Sequence, residues 1–333
     1  MIIAEIAQAH DGSLGNAHAF IDALAETGVD AVKFQTHIAE AESSELEPFR
    51  VKFSLQDSTR YEYWKRMEFT PDQWQGIQAH CHQVGLKFIS SPFSNAAVDI
   101  LDCIDVDVIK IGSGEISNLL MLEKIARTGK PIILSSGMSD LDELEKTIDF
   151  LKSFSNPLSL LQCTTAYPTL PEQWGLNVIG ILKEKFRIPV GFSDHSGNIF
   201  ASLAAATLGA EIFEFHVVFD KRQFGPDTIA SITIDQTKTL VQGIKEIQKA
   251  LANPIEKSEV SKYTELKRIF GKSLAINKDL KKGTVLQFED LESKKPGDQG
   301  ISASDYQSVL GKSLTRDLNK WDFLKIENIQ KGE

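Results

Sequence analysis

VIKIGSGEISNLLMLEKIARTGKPIILSSG, residues 108–137, decides the fold. It opens on a short apolar run, passes through a helical pattern that closes on Gly129, and ends on a second apolar run, PIILSSG. Glycine just past a helical pattern supplies the left-handed residue at which helices stop. Two nearly continuous apolar strands joined by a helix lie parallel, in a sheet covered on both faces.

Outward from this segment the same unit recurs. Further strand-like runs are IIAEIA (2–7), AVKFQT (31–36), KFISSPF (87–93), LSLLQCTT (158–165), PVGFSDH (189–195) and IFEFHVVFD (212–220). Between them lie helix patterns such as NAHAFIDALAETG and TPDQWQGIQAHCHQVG, with Gly28, Gly85 and Gly209 as closing residues. Eight strand–helix units in about 250 residues have the count and size of a (β/α)₈ TIM barrel. A doubly wound sheet is the rival, but it places a glycine-rich phosphate turn after its first strand, and none stands there. The expected organisation is therefore a barrel over residues 1–252, a polar linker or connecting helix over 253–271, and a small second domain over 272–333. That last domain holds the strand-like runs KSLAINKDL, GTVLQFEDL and DFLKIENI. Its core is marginal for its size. The insertion from His37 to Phe69, with Trp64 and the basic residues Arg50, Lys52 and Arg60, is expected to be an active-site loop.

Composition narrows the class. The 333 residues are 42% hydrophobic, enough for a substantial core, and 36 basic against 46 acidic residues give a net charge of −10. A nucleic-acid binder shows a basic face instead. A small anionic ligand stays compatible, because a few lysines reverse the local sign in one pocket. Three cysteines without CxxC spacing exclude zinc-finger and disulfide scaffolds and point to a reducing cytoplasm. The N-terminus lacks a basic signal-peptide region, and no apolar run approaches the ~20 residues of a membrane span, so no membrane association is expected.

Catalytic groups of such barrels come from the C-terminal ends of the strands. Polar residues collect at those ends: Glu5, Gln8, His10 and Asp11; Lys33 and Gln35; Ser90, Ser91 and Ser94; Lys110, Ser113 and Glu115; Ser135 and Ser136; Thr164, Thr165 and Tyr167; Ser193, Asp194 and His195; Glu214 and His216. Polar endings on all eight strands point to one shared site. Lys33 and Lys110 with the hydroxyls of Ser113, Ser135 and Ser193 suit a phosphate or carboxylate, combining point charge with directional donors. His195 and His216, on neighbouring strands, suit a divalent transition metal completed by oxygens, although a satisfied core histidine is the ordinary fate of such a residue. His80 and His82, two apart on one helix, face different sides and are not joint ligands.

At these positions the chain resembles the N-acetylneuraminate (sialic acid) synthase family. The matching signatures are IAEIAQAHDGSL, DAVKFQTH, FISSPFS, KIGSGEISN, PIILSSGM, LLQCTTAYPT, GFSDHSG and FEFHVVFDKRQFGPD. The likeness continues through KSLAINKDLKKGTVLQFEDLESKKPG, which looks like that family's C-terminal antifreeze-like (SAF) domain. The resemblance implies a transferase that condenses phosphoenolpyruvate with an N-acylated mannosamine-type sugar, releasing phosphate and a nine-carbon 2-keto acid. It implies a divalent metal, typically Mn²⁺ with Mg²⁺ or Co²⁺ as substitutes, on His195 and His216. It places phosphoenolpyruvate on Lys33, Ser91, Lys110, Ser113, Ser135, Thr165 and Ser193, and the sugar on Glu5, Tyr167 and Asp227. It also implies a homodimer in which each C-terminal domain covers the partner's barrel.

Departures bear on the sugar. Ala7 and Ala9 replace a glycine and an asparagine, Thr165 replaces an asparagine of some members, and Lys295 stands where an arginine is expected to reach the N-acyl group. A lysine cannot reproduce that planar two-donor fork. A legionaminic or pseudaminic acid synthase, acting on a 2,4-diacetamido-6-deoxyhexose, is thus the alternative within the class. Glu5 is expected to handle a sugar hydroxyl or the water proton, and Glu214 to tune the metal. A non-catalytic sugar- or ice-binding module would need none of the strand-end residues.

Overall fold

A computed structural model describes residues 1–51 and 53–330; Lys52 of the expected loop and residues 331–333 lie outside them. The chain divides into two compact units, Met1–Asn253 and Pro254–Glu333.

In the first unit eight parallel strands close on themselves: β1 (Ile2–Glu5), β2 (Ala31–Thr36), β3 (Lys87–Pro92), β4 (Val108–Ile111), β5 (Ile132–Ser135), β6 (Leu158–Cys163), β7 (Val190–Asp194) and β8 (Phe213–Val218). Closure is the β1–β8 pairing, which sets Ile3 beside Glu214 and Glu5 beside His216. A short β9 (Ile232–Thr233) extends β8 pairing outside the ring. The connecting helices are α1 (Leu14–Ala25), α4 (Pro71–Gln83), α5 (Asn95–Cys103), α6 (Leu119–Arg127), α7 (Leu141–Lys152), α8 (Leu176–Phe186), α9 (Phe200–Thr207) and α10 (Ile234–Leu251). The long β2 connection adds α2 (Ala39–Glu42) and α3 (Arg60–Met67). Local chemistry starts these helices where they start. The hydroxyls of Thr70 and Thr233 cap the backbone of Gln73 and Gln236, whose side chains reply in kind, and Pro71 fills the first turn of α4. Outward strand residues such as Phe34, Phe88 and Phe213 pack with Trp74, Phe20 and Ile21 of the helices at essentially zero exposure.

Inside the barrel, the two-residue period of a strand makes layers. The lowest is apolar: Ile3, Ala31, Ile89, Val108, Ile133, Leu161 and Ile212 form one cluster. In β7 this layer has Gly191, where a Cβ would strike Leu161 and the Ile212 carbonyl. Two residues further along each strand the layer is Glu5, Lys33, Ser91, Lys110, Ser135, Cys163, Ser193 and Glu214. Two beyond that come Gln35, Phe93, Gly112, Gly137, Thr165, His195 and His216. The apolar plug closes the bottom, so any ligand enters from the top.

The span 253–271, read as a linker or connecting helix, carries α11 (Thr264–Phe270). Of the three expected strands, KSLAI becomes β10 (Ser273–Ile276), paired antiparallel with β11 (Leu291–Lys294). GTVLQFEDL and DFLKIENI instead make isolated bridges, Val285 to Ser313 and Ala275 to Phe323, and end in 3₁₀ turns. Leucines at 274, 280, 286, 314, 318 and 324 point into one small core, which a looped backbone closes as well as a sheet would.

Candidate active site

The upper two layers surround a cavity of about 410 Å³. That volume suits a ligand of roughly drug size. Its floor is an alternation of ammonium and carboxylate. Lys33 contacts Glu5 directly and lies 4.0 Å from Glu214. Lys110 Nζ is 3.3 Å from Glu214 Oε1, which also accepts a 3.0 Å hydrogen bond from the Ser193 hydroxyl. Lys33 donates to Ser91 Oγ at 3.3 Å. All these side chains are at most 5% exposed. Burial pushes the Lys33 ammonium down to about 7, against Glu214 and with Lys110. For Glu214, burial favours protonation but Lys110, Lys33 and Ser193 outweigh it, holding the carboxyl down at about 2. Glu5 Oε1 and Glu214 Oε2 are buried without a hydrogen-bond partner among the described residues. Buried atoms left so are characteristic of a site built for a guest.

The two imidazoles stand above this floor, their ring centres 5.4 Å apart. His195 donates from Nδ1 to the Thr164 carbonyl at 2.9 Å, which turns Nε2 into the acceptor; the Tyr167 hydroxyl lies 3.2 Å from it. Burial lowers His195 to about 4, with His216 adding to the effect, and lowers His216 to about 3, with Lys33 adding. Both rings are therefore neutral near pH 7, the form that ligates metal. Among the described residues no third histidine, cysteine or carboxylate completes a protein-only metal cluster. The donor set fits a cation whose remaining positions go to water or substrate oxygens.

A different kind of wall covers the upper side. The segment between β2 and α4 folds on itself, with Tyr63, Trp64, Met67 and Ala39 buried in a cluster that Phe49, Phe53 and Tyr61 complete. The Thr59–Glu62 capping box starts α3. Arg66 ties the segment down, binding Asp57 through two nitrogens and Asp11 Oδ1 at 2.6 Å. This buttress aims Arg50 at the cavity. Its guanidinium lies 4.2 Å above the Tyr167 ring and donates to Asp227 Oδ1 at 2.9 Å. Burial raises the Asp227 carboxyl against the opposing pull of Arg50.

Most of the residues expected from sequence meet here. Lys33, Ser91, Lys110, Ser113, Ser135, Thr165, Tyr167, Ser193, His195, His216 and Asp227 all line the one cavity. Glu5 does not line it. It sits beneath, fully buried against Lys33, so its position suits orienting that ammonium rather than touching a sugar. Glu214 contacts Lys110, Lys33 and Ser193, and its charge also acts on His216. Lys295 belongs to the second unit, exposed and 5.1 Å over the Phe270 ring. His80 and His82 turn to different partners, Asp22 and Asp107. Asp194 accepts from the Ser196 backbone and the Ser202 hydroxyl and serves the β7 turn. Sequence reasoning left Cys163 and Gly137 unassigned. The two-residue period finds both, one and two layers above Leu161 and Ile133. A Cβ on Gly137 would lie 2.7 Å from Cys163 Sγ and nearer still to Thr165 and Ser113, so only glycine leaves this corner open. It also passed over His37 and Glu42 as site residues, though both line the cavity.

Residues 20–256 match the NeuB family and residues 271–329 the SAF domain. N,N'-diacetyllegionaminic acid synthase of Campylobacter jejuni is 35% identical over 98% of each chain. The human N-acetylneuraminate-9-phosphate synthase is 33% identical over 94% of this chain and 88% of its own length. Among solved structures, the N-acetylneuraminic acid synthetase of Leptospira borgpetersenii, in complex with citrate, superposes with a TM-score of 0.70 and 29% identity, covering 80% of this chain and 90% of that one.

Proposed function

The chain belongs to the NeuB family, and on that premise we propose that it is a synthase joining phosphoenolpyruvate to an N-acylated amino-sugar, with release of phosphate and a nine-carbon 2-keto sugar acid. The observation that carries this reading is the paired-lysine floor beneath two neutral imidazoles in one cavity.

Charge counting supports a cation. Lys33 and Lys110 are matched by Glu5 and Glu214, so phosphoenolpyruvate adds negative charge that the floor does not neutralise. When bound at His195 and His216, a divalent metal, Mn²⁺ in our reading, would supply the compensating positive charge and Lewis acidity toward a carbonyl oxygen. The protein's own groups do the rest. The two ammonium groups with Ser91, Ser113, Ser135 and Ser193 hold the phosphate and carboxylate and so orient the enol methylene carbon. Tyr167, Asp227 and Arg50 hold sugar hydroxyls above it. The methylene carbon bonds to the open-chain aldehyde carbon, whose oxygen takes a proton. Water then adds to the former enol carbon, and breakage of its bond to the phosphate oxygen leaves the keto group and inorganic phosphate.

Phe49, Phe53 and Trp64 give the sugar side an apolar surface, which favours a 6-deoxy, doubly N-acylated hexose as the second reading. Our reading of the second unit, residues 272–333, is a lid supplied by a partner copy in a homodimer, with Lys295 reaching the sugar in trans. Restored activity on mixing Lys295→Ala and His216→Ala chains tests that. No described helix is long and apolar enough to cross a membrane, and Cys81, Cys103 and Cys163 are unpaired; these support a cytoplasmic setting. The deciding experiment is phosphate release from phosphoenolpyruvate with Mn²⁺ and a panel of amino-sugars, with and without chelator. Release that requires both sugar and metal is expected. No release with any N-acylated hexosamine would overturn the reading.

A further inference from the structure

One cavity wall has no place in the chemistry above. His37 lies flat between Trp64, 4.1 Å away at 17°, and Phe93, 4.7 Å away at 7°. Its Nδ1 is 2.7 Å from Glu42 Oε1, and both side chains are buried, at 2% and 6% exposure. Its Nε2 is 3.2 Å from Gln35 Oε1, the same oxygen that accepts from the Gln8 amide. All four polar residues line the cavity.

The hydrogen-bond logic runs one way. Glu42 only accepts, so Nδ1 must carry its proton. That leaves Nε2 as an acceptor, and the Gln8 amide nitrogen, 3.4 Å away, donates to it and also to Gln35 Oε1. With Gln8 held in this orientation by the His37 ring, turning the Gln35 amide over would set its N–H groups against the Gln8 donor. Its nitrogen has no acceptor among the described residues, and it stands in the layer that also carries His195 and His216. The aromatic sandwich prevents the imidazole from rotating out of this arrangement.

Resting on the proposed condensation, we infer that Glu42 and His37 are positioning residues that lock the Gln35 amide with its N–H groups toward the sugar. That makes the wall a fixed donor for a carbonyl or hydroxyl oxygen of the amino-sugar. The pair touches neither the lysines nor the metal-binding imidazoles, so it acts on one substrate alone.

The test uses the full chain with MnCl₂, and N-acetylmannosamine and a 2,4-diacetamido-6-deoxyhexose as probes. Glu42→Gln, and His37→Phe, which keeps the stack, should each raise the sugar KM about tenfold. The phosphoenolpyruvate KM should stay within about twofold. Gln35→Met should raise the sugar KM equally, and adding Glu42→Gln to it should change nothing further, because the carboxylate acts only through the amide. A full additional effect in that double variant would overturn the inference, as would equal shifts in both KM values. Calorimetric binding of the sugars reads the same wall without turnover. A wild type that binds sugar, loses affinity in Glu42→Gln, and yet releases no phosphate keeps this inference and overturns the condensation reading. A wild type that binds neither sugar overturns the inference as well.

Discussion

The cavity has two halves built by different means. Its lower half comes from strands, one residue per strand at a fixed height, each side chain aimed by the barrel register and anchored by a neighbour across the ring. Its upper half comes largely from one segment between β2 and α4, whose aim depends on its own aromatic cluster and on Arg66. The strand-built half carries the groups suited to an anion and a metal, the loop-built half those suited to a polyol or amide. Chemistry common to many sugars can sit on a rigid scaffold, while choice among sugars rests on a segment that changes without disturbing the barrel.

If the halves are separate in this sense, damage to one should spare the other. The largest effect falls in the lower half. Lys110→Ala removes a charged partner worth ~1.5–3 kcal/mol and should cut kcat/KM for phosphoenolpyruvate by about a hundredfold, with the sugar KM little changed. Steady-state kinetics in both substrates checks this, and a parallel loss for the sugar would merge the halves. Next comes Gly137→Ala, which fills the corner between Ser113, Cys163 and Thr165. Overpacking a buried corner costs ~1–3 kcal/mol, so the phosphoenolpyruvate KM should rise by roughly tenfold or more. A normal KM would show that the anion sits elsewhere.

On the upper side, Arg50→Ala removes the stack on Tyr167 and the bond to Asp227. Cation–π and single hydrogen-bond losses at a half-exposed site predict a sugar KM raised by about five- to tenfold, with phosphoenolpyruvate unaffected. The panel ratio between mono- and diacylated sugars should move with it. The smallest effect is with pH. Lys33 is held below its ordinary value of 10.5, at about 7, so it is charged below that pH and loses its proton as pH rises through it. The phosphoenolpyruvate KM should therefore be flat below about 7 and climb above it, and the climb should vanish in Lys33→Arg, which stays charged. A profile that rises only near pH 10 would mean that Glu5 and Glu214 keep Lys33 fully protonated.

The same division governs what the sequence disclosed. The strand-built half was legible because parallel pairing and a two-residue period determine height and direction: Ile3 leads to Glu5, Val108 to Lys110, Ile212 to Glu214 and His216. Partners were less legible than positions. Glu5 and Glu214 read as acting on sugar and metal; their lysine partners, Lys33 on the adjacent strand and Lys110 across the ring, were not foreseen, although buried ammonium groups need such compensation. The loop-built half was readable only as a loop with basic residues. Its internal order depends on contacts between Trp64, His37 and Phe93, which no periodicity encodes. In the second unit, short apolar runs between Gly, Pro and Asp read as strands, because segments that loop into a small core carry the same pattern.

Separation of the halves is tested most directly by equilibrium binding of phosphoenolpyruvate, measured calorimetrically with Mn²⁺ and without sugar, to the wild type and to the Lys110→Ala and Arg50→Ala chains. The account predicts that Arg50→Ala binds within about twofold of the wild type while Lys110→Ala binds at least ~10-fold more weakly. Equal weakening in both chains would contradict it, placing phosphoenolpyruvate against the loop rather than on the strand-built floor.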